Sequence, residues 1–420
     1  MHVPSAPSAA ALLRRRDVAL FLASQLLVTA GVASQATVLG KLVFDITHRE
    51  LDLGLVGLVE FLPAAALAVV AGALADRRDR RRVGAAGLAG EACAAVALVL
   101  LVRTQPTSIG PILMVVGVFG VARAFASPAI RALAPTLVEP LALPRLVALY
   151  NLSLQAGLIA GPVVGAFLYA VGPTWSFGFT LLCSTLGACG LLCIRPQAPI
   201  EPTALSAERR PGWRDALEGI TLIRRSPVLL GTISLDLFAV LFGGAIALLP
   251  VIAEERLGVG VVGLGWLRAA VGVGAAVMTG VLALRPLRRR IGPTLLAVVA
   301  VFGVATIGLG LTRSFPVAVL CLLVASGADA VSMFIRATIV PLVTPDAWRG
   351  RVSAVENVFI GASNELGAFE SGLAGQWLGA AGAVVTGGAA TLLVVGVWSM
   401  VFPAIGRIDR FEDVQPAALR

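Results

Sequence analysis

The chain has 420 residues, 58% hydrophobic and 14% charged, with a formal net charge of +9. Soluble domains run nearer roughly 45–50% apolar and 25% charged, so in water this chain would expose large adhesive patches, and lipid is the solvent that removes the problem. Mean hydropathy of +0.91 agrees, and the arginines fall in short runs between apolar stretches, which is a pattern of membrane topology rather than of nucleic-acid binding.

A helix crosses a bilayer with about 20 mainly apolar residues. Twelve such stretches are predicted, near 18–40, 52–75, 83–102, 108–127, 146–170, 174–194, 228–253, 260–284, 292–312, 315–340, 352–379 and 382–405. Each run is long and lacks period-two alternation, so helices are expected rather than a barrel. Arg14, Arg15 and Arg16 precede the first run, which is too long for a signal-peptide core and lacks a cleavage site, so it reads as a first span. With the N-terminus placed in the cytoplasm, the arginine runs at 77–82, 285–290 and 349–351 all fall on the cytoplasmic side. The opposite loops carry few basic residues, and the alternation holds through all twelve spans, which puts both termini in the cytoplasm.

The longest interior polar stretch, 195–227, divides the spans six from six. The expected organisation is an N-terminal six-helix bundle over 1–194, a cytoplasmic linker over 195–227 and a C-terminal six-helix bundle over 228–420. The linker begins Pro-rich and loose, and from Trp213 to Ile223 it reads as a short amphipathic helix.

The two halves repeat each other. "AGALADRRDRRRVG" from Ala71 matches "TGVLALRPLRRRIG" from Thr279, and "RLVALYN" from Arg145 matches "RVSAVEN" from Arg351. At the first of these offsets Glu60 meets Arg268. Parallel six-helix repeats are the signature of a transporter that rocks about a central site.

These residues carry a family resemblance. "GALADRRDRRR" resembles the loop motif of the major facilitator superfamily, with Gly72, Asp76, Arg77, Arg80 and Arg81 at matching positions. Asp79 departs from it, standing where the family has glycine, and the second copy has Leu284 in place of the acid. The resemblance implies a cluster that latches the cytoplasmic side shut. A glycine such as Gly72 allows close helix approach, and Asp76 at a helix end can accept hydrogen bonds from arginine. "GLIAGPVVGAF" resembles the family's exporter motif through Gly157, Gly161, Pro162 and Gly165. "VARAFASPAIRALAPTLV" and "NELGAFESG" are similar to a subgroup that includes the enterobactin exporter and macrolide efflux proteins. The implied fold is the major facilitator fold, an all-α membrane protein of twelve helices. The implied function is export of a small organic molecule such as a siderophore, a macrolide or another drug from a bacterial inner membrane, by a monomer.

Ionisable groups are expensive inside lipid, roughly 2.5–3.5 kcal/mol each at a helix centre, and so mark function. Glu60, Glu91, Arg123, Asp236, Arg268, Asp329, Arg336, Glu365 and Glu370 fall within predicted spans. Asp329 and Arg336 are seven apart and share a face, while Glu365 and Glu370 are five apart and splay by about 140°. A desolvated acid can load a proton on one side and release it on the other. Asp236, Glu365 and Glu370 are candidates for proton coupling, with Arg123, Asp329 and Arg336 completing the candidate set for coupling or the substrate cavity. Interhelical ion pairing that only fixes packing accounts equally well for these groups. Gln25 and Gln35 are further polar groups, suited to a cavity or to interhelical hydrogen bonds.

Other classes fit less well. There is no phosphate-binding loop, zinc signature or nucleophile elbow, and His2 and His48 both lie outside the spans, so an enzyme or an ATP-driven pump is not expected. No metal or cofactor is expected either; Cys189 and Cys193 share a helical face but no histidine or acid accompanies them. Proton-coupled uptake and a non-transporting membrane sensor are the alternatives, the latter disfavoured because about a dozen residues follow Arg407. The expected partners are the substrate, protons and the lipid bilayer.

Overall fold

A computed structural model describes residues 8–196, 213–345 and 348–414. They contain helices and no strand. In chain order these are α1 (Ala9–Leu13), α2 (Arg16–Thr47), α3 (Glu50–Arg77), α4 (Arg80–Arg103), α5 (Gly110–Leu133), α6 (Leu143–Val171), α7 (Pro173–Cys193), α8 (Trp213–Arg225), α9 (Pro227–Phe242), α10 (Gly260–Leu284), α11 (Ile291–Leu311), α12 (Phe315–Val343) and α13 (Arg349–Val401). Ten helical stretches among the described residues are long and apolar enough to cross a membrane. α13 has 53 residues and is two helices in one, because Gly379 sits at φ 72°, ψ 159° in its middle. Glycine tolerates that conformation and other residues do not, so the chain turns there, where the sequence analysis ends one span and begins another.

The predicted span at 228–253 is interrupted. α9 stops at Phe242 and the chain resumes as a 3-10 turn at Ala245–Leu248 and a π-helical turn at Ile252–Arg256. The glycine doublet at the break passes close against neighbours. A Cβ on Gly243 would collide with the Phe302 ring, and one on Gly244 would lie 2.7 Å from both the Gly367 carbonyl carbon and Ser371 Oγ.

The chain forms two compact units. Unit 1 comprises Met1–His48, Val56–Glu201 and Val259–Ala269; unit 2 comprises Arg49–Leu55, Pro202–Gly258 and Ala270–Arg420. In unit 1 the core is built by α2, α4, α5, α6 and α7 around Phe21, Leu88, Ile130, Leu146 and Leu191. In unit 2 it gathers Leu229, Ile233, Leu295, Ile335, Ile339 and Val352. α8 belongs to unit 2. Its Leu222 and Ile223 join that core, and Glu218 pairs with Arg351 at 2.6 Å. The linker residues 197–212 lie outside the described residues.

Candidate functional site

Three constructions in the two units bear on function. The first is the arginine-rich end of unit 1. Asp79 caps the N-terminus of α4, accepting a hydrogen bond from the Arg81 amide at 3.0 Å and an ion pair from the Arg81 guanidinium at 2.6 Å. Arg81, 7% exposed, also donates to the Ile194 carbonyl at the end of α7, and Arg80 donates to the Ala132 carbonyl at the end of α5 at 3.0 Å. Cations at helix C-termini are favoured by the helix dipole, so these two arginines tie the start of α4 to the ends of two neighbours. Asp79, where the motif has glycine, is therefore an organising acid of this cluster. The side chain of Asp76 lies outside the described residues. Arg77 is exposed. A Cβ on Gly72 would meet nothing within 4 Å, so the close helix approach expected there is absent within the described contacts.

Hydrogen bonding and charge from Arg81 hold the Asp79 carboxyl below its ordinary value. A depressed acid contributes stability above its unfolded pKa and loses it as pH falls through the folded value. Asp79→Ala should accordingly cost about 0.5–2 kcal/mol at neutral pH, the usual worth of a helix cap. Thermal melts of the detergent-purified protein check this: wild type and variant should differ fully at pH 7, the gap should begin to close only once pH falls below the ordinary carboxylate value of about 4, and it should vanish only below the depressed folded value. A gap unchanged by acid would show that the charge of Asp79 contributes nothing.

The second construction is the glycine seam between α2 and α6, both in unit 1. Gly157, Gly161, Pro162 and Gly165 are all buried. A Cβ on Gly157 would lie 2.7 Å from Thr29 Cβ, one on Gly161 would lie 3.0 Å from the Ala30 Cα, and one on Gly165 would lie 2.8 Å from Ser34 Cβ. Three successive turns of α6 thus rest on the backbone of α2, through small residues as in other membrane helix pairs. Pro162 carries the contact further: a Cβ on Gly265 of α10 would lie 2.8 Å from its carbonyl oxygen.

The third construction is the set of charges inside the helices. In unit 1 Arg123 pairs with Glu60 at 3.0 Å, and Gly120, one turn away, packs on the Glu60 backbone. Gln25 donates to Thr29 Oγ1 at 2.9 Å, and Gln35 Oε1 is buried without a partner. Arg268 also falls in unit 1, with a buried Nε that has no hydrogen-bond partner. In unit 2 Arg336 pairs with Asp236 at 2.7 Å, both nearly sealed at 4% and 7% side-chain exposure. Asp329 and Glu356 lie within electrostatic reach of Arg336. Asp236 and Asp329 line one small cavity with Val240, Phe302 and Ser332. Glu370 stands next to Ser371, whose hydroxyl borders the broken end of α9 at Gly244; Glu365 lies one to two turns earlier on α13, half-buried.

The structure thus brings Asp236, Asp329 and Arg336 together in unit 2 and keeps Glu365 and Glu370 on α13 of the same unit. Arg123 belongs to unit 1. Sequence reasoning missed Glu356, which lies two turns inside α13, and the break in α9, whose signal was the Gly243–Gly244 doublet inside an apolar run. Irregular backbone at membrane depth is tolerated where it is covered by protein or lines a cavity, and broken helices of this kind frame the binding sites of many transporters.

Fold, glycine seam and intramembrane charges together define a multi-pass membrane transporter, and the chain belongs to the Major Facilitator Superfamily, whose family profile matches residues 21–368. Among curated proteins it is similar to the enterobactin exporter EntS of Escherichia coli O127:H6, 27% identical over 297 residues that cover 69% of this chain and 67% of that one. EntS of Shigella boydii serotype 18 matches at the same identity and coverage. Among solved structures the nucleoside transporter NupG superposes with a TM-score of 0.74 at 13% identity, covering 92% of this chain and 100% of that one. A D-xylose-proton symporter gives 0.70 at 16% identity, covering 93% and 99%, and the human organic anion transporter MFSD10 gives 0.63 at 19%, covering 91% and 99%. At these identities the structural likeness concerns the fold alone.

Proposed function

We propose that this transporter exports a small organic molecule in exchange for protons, by alternating access in a bacterial cytoplasmic membrane. The chain works as a monomer of twelve spans, α3 and both arms of α13 counted among them, with halves at 1–194 and 228–420 and both termini in the cytoplasm. The observation that carries the reading is the sealed Asp236–Arg336 pair beside Asp329 at a small cavity. One arginine there faces more than one acid, so a proton can enter when substrate leaves and leave when substrate enters. Glu365 and Glu370 flank the same unit beside the broken helix and line the substrate path. The glycine-proline seam of α6 and the 27% identity to an enterobactin exporter favour the outward direction and a siderophore-like or drug-like substrate. In this reading Asp76, Arg77, Arg80 and Arg81 hold the cytoplasmic side closed, with Asp79 fixing Arg81.

Everted membrane vesicles test it. With respiration acidifying the lumen, adding a transported compound from a panel of catecholate siderophores, macrolides and cationic dyes should release lumenal protons, read as recovery of a quenched pH dye. Asp236→Asn should bind the compound with affinity within about threefold of wild type yet release at least tenfold fewer protons, because a neutral amide cannot cycle a proton. Full proton release by Asp236→Asn would remove that residue from coupling, and no release for any compound in wild type would remove proton antiport.

A further inference from the structure

Glu91 takes part in none of the roles assigned above, yet its setting in unit 1 is unusual for a membrane carboxylate. It lies in α4, 1% exposed. Its Oε2 is buried with no hydrogen-bond partner, and the buried Ser184 hydroxyl of α7 is the polar group near enough to act on the carboxyl. An ionised carboxylate offers about four acceptor sites, and burying one with so few of them satisfied is strongly unfavourable.

The cation acting on Glu91 is Arg123 of α5, and Arg123 already pairs with Glu60 of α3 at 3.0 Å. Two seams of small residues bring the three side chains together. A Cβ on Gly90 would lie 2.8 Å from Ala122 Cβ, so the residues beside Glu91 and Arg123 are in contact, and Gly120 packs on the backbone of Glu60. These are the charged and polar groups that face Glu91 from the packed helices: Glu60 from α3, Arg123 from α5 and Ser184 from α7. On its own helix Asp79 and Arg81 sit some ten residues away at the far end, about 15 Å along the axis.

The cluster therefore holds two acids and one base. We propose that Glu91 is a proton-binding site of the N-terminal half, and that Arg123 trades between Glu60 and Glu91 as that proton comes and goes. With the proton on Glu91 the carboxyl is neutral, and Arg123 stays on Glu60, as in this structure. When the proton leaves to water, the buried carboxylate draws Arg123 across, and Glu60 loses its partner. The 43% exposure of the Arg123 side chain leaves it room for that move, while Glu91, sealed between α4, α5 and α7, stays in place. No other bond is made or broken. The use of this proton in transport rests on the exchange reading above; its binding to Glu91 does not.

Infrared difference spectroscopy of the purified protein tests the proposal without a substrate. On stepping from alkaline to acid pH, the carbonyl stretch of a buried protonated carboxyl should appear, shift in deuterium oxide, vanish in Glu91→Gln and move in frequency in Ser184→Ala. A Glu91→Gln spectrum identical to wild type overturns the proposal, as does a Glu91 band present at every pH, which would mark a fixed structural proton. Should Glu91→Gln fail to fold, Ser184→Ala decides: a shifted band supports the assignment and an unmoved one overturns it. A band that titrates in a protein showing no proton-linked transport would sink the exchange reading and leave the proton site standing.

Discussion

Arg336→Leu should be among the most damaging single substitutions in unit 2, costing about 3–5 kcal/mol of stability, the usual penalty for removing one partner of a buried ion pair. The reason is the company Arg336 keeps. Its guanidinium holds Asp236 at 2.7 Å and acts on Asp329 and Glu356 as well. Without it three acids share a volume from which water is largely excluded, and they must take up protons or repel one another. Asp236→Leu should cost less, because Arg336 then keeps Asp329 and Glu356. The double variant Arg336→Leu with Asp236→Leu should recover part of the loss, since the worst-placed charge is gone. Thermal unfolding in detergent, followed by intrinsic fluorescence, gives the order: wild type above Asp236→Leu, then the double variant, then Arg336→Leu. Arg336→Leu melting with or above Asp236→Leu would mean that Arg336 does not balance the other acids.

Gly161→Leu should abolish folding of unit 1 outright. The Cβ alone would press on the Ala30 peptide of α2, where the thing displaced is backbone rather than a side chain that can turn aside. Overpacking costs about 1–3 kcal/mol and occasionally more, and a leucine at this point belongs at or beyond the upper end because Gly157 and Gly165 fix α6 against α2 on either side. Gly161→Ala should retain a folded but measurably less stable protein. Monodisperse yield by fluorescence-detected size exclusion separates the cases. A leucine variant that elutes like wild type would refute the tight α2–α6 seam.

Much of this was legible in the chain because it depends on local composition. Long apolar runs punctuated by arginine marked where the helices lie, though not their ends: the first span runs on to Thr47 and the fourth to Leu133, beyond the predicted 40 and 127, and the span predicted at 228–253 stops as an α-helix at Phe242. The Gly157–Gly161–Pro162–Gly165 spacing of one turn marked a packing face before any partner was known. What lay beyond reach depends on which helices meet. Asp329 and Arg336 share a face by spacing, but Arg336 spends its shortest contact on Asp236 of α9. Arg123 finds Glu60, 63 positions earlier. No periodicity encodes either pairing. The motif reading singled out Asp76 and treated Asp79 as a departure; capping chemistry explains the outcome, since an acid just before a helix accepts from its first free amides, as Asp79 does from Arg81. Glu356 lies inside the span predicted at 352–379 and was nonetheless passed over, because nothing in its local sequence signals that Arg336 of α12 comes within its reach.

Direction and energy source are the centre of this account, and one measurement addresses both. The purified protein is reconstituted into liposomes, and uptake of a labelled siderophore or macrolide is followed after an acid-inside pH gradient is imposed. The account predicts accumulation above the external concentration, abolished by a protonophore and reduced at least tenfold by Asp236→Asn. Accumulation that instead requires an acid exterior, with substrate and proton entering together, would contradict it.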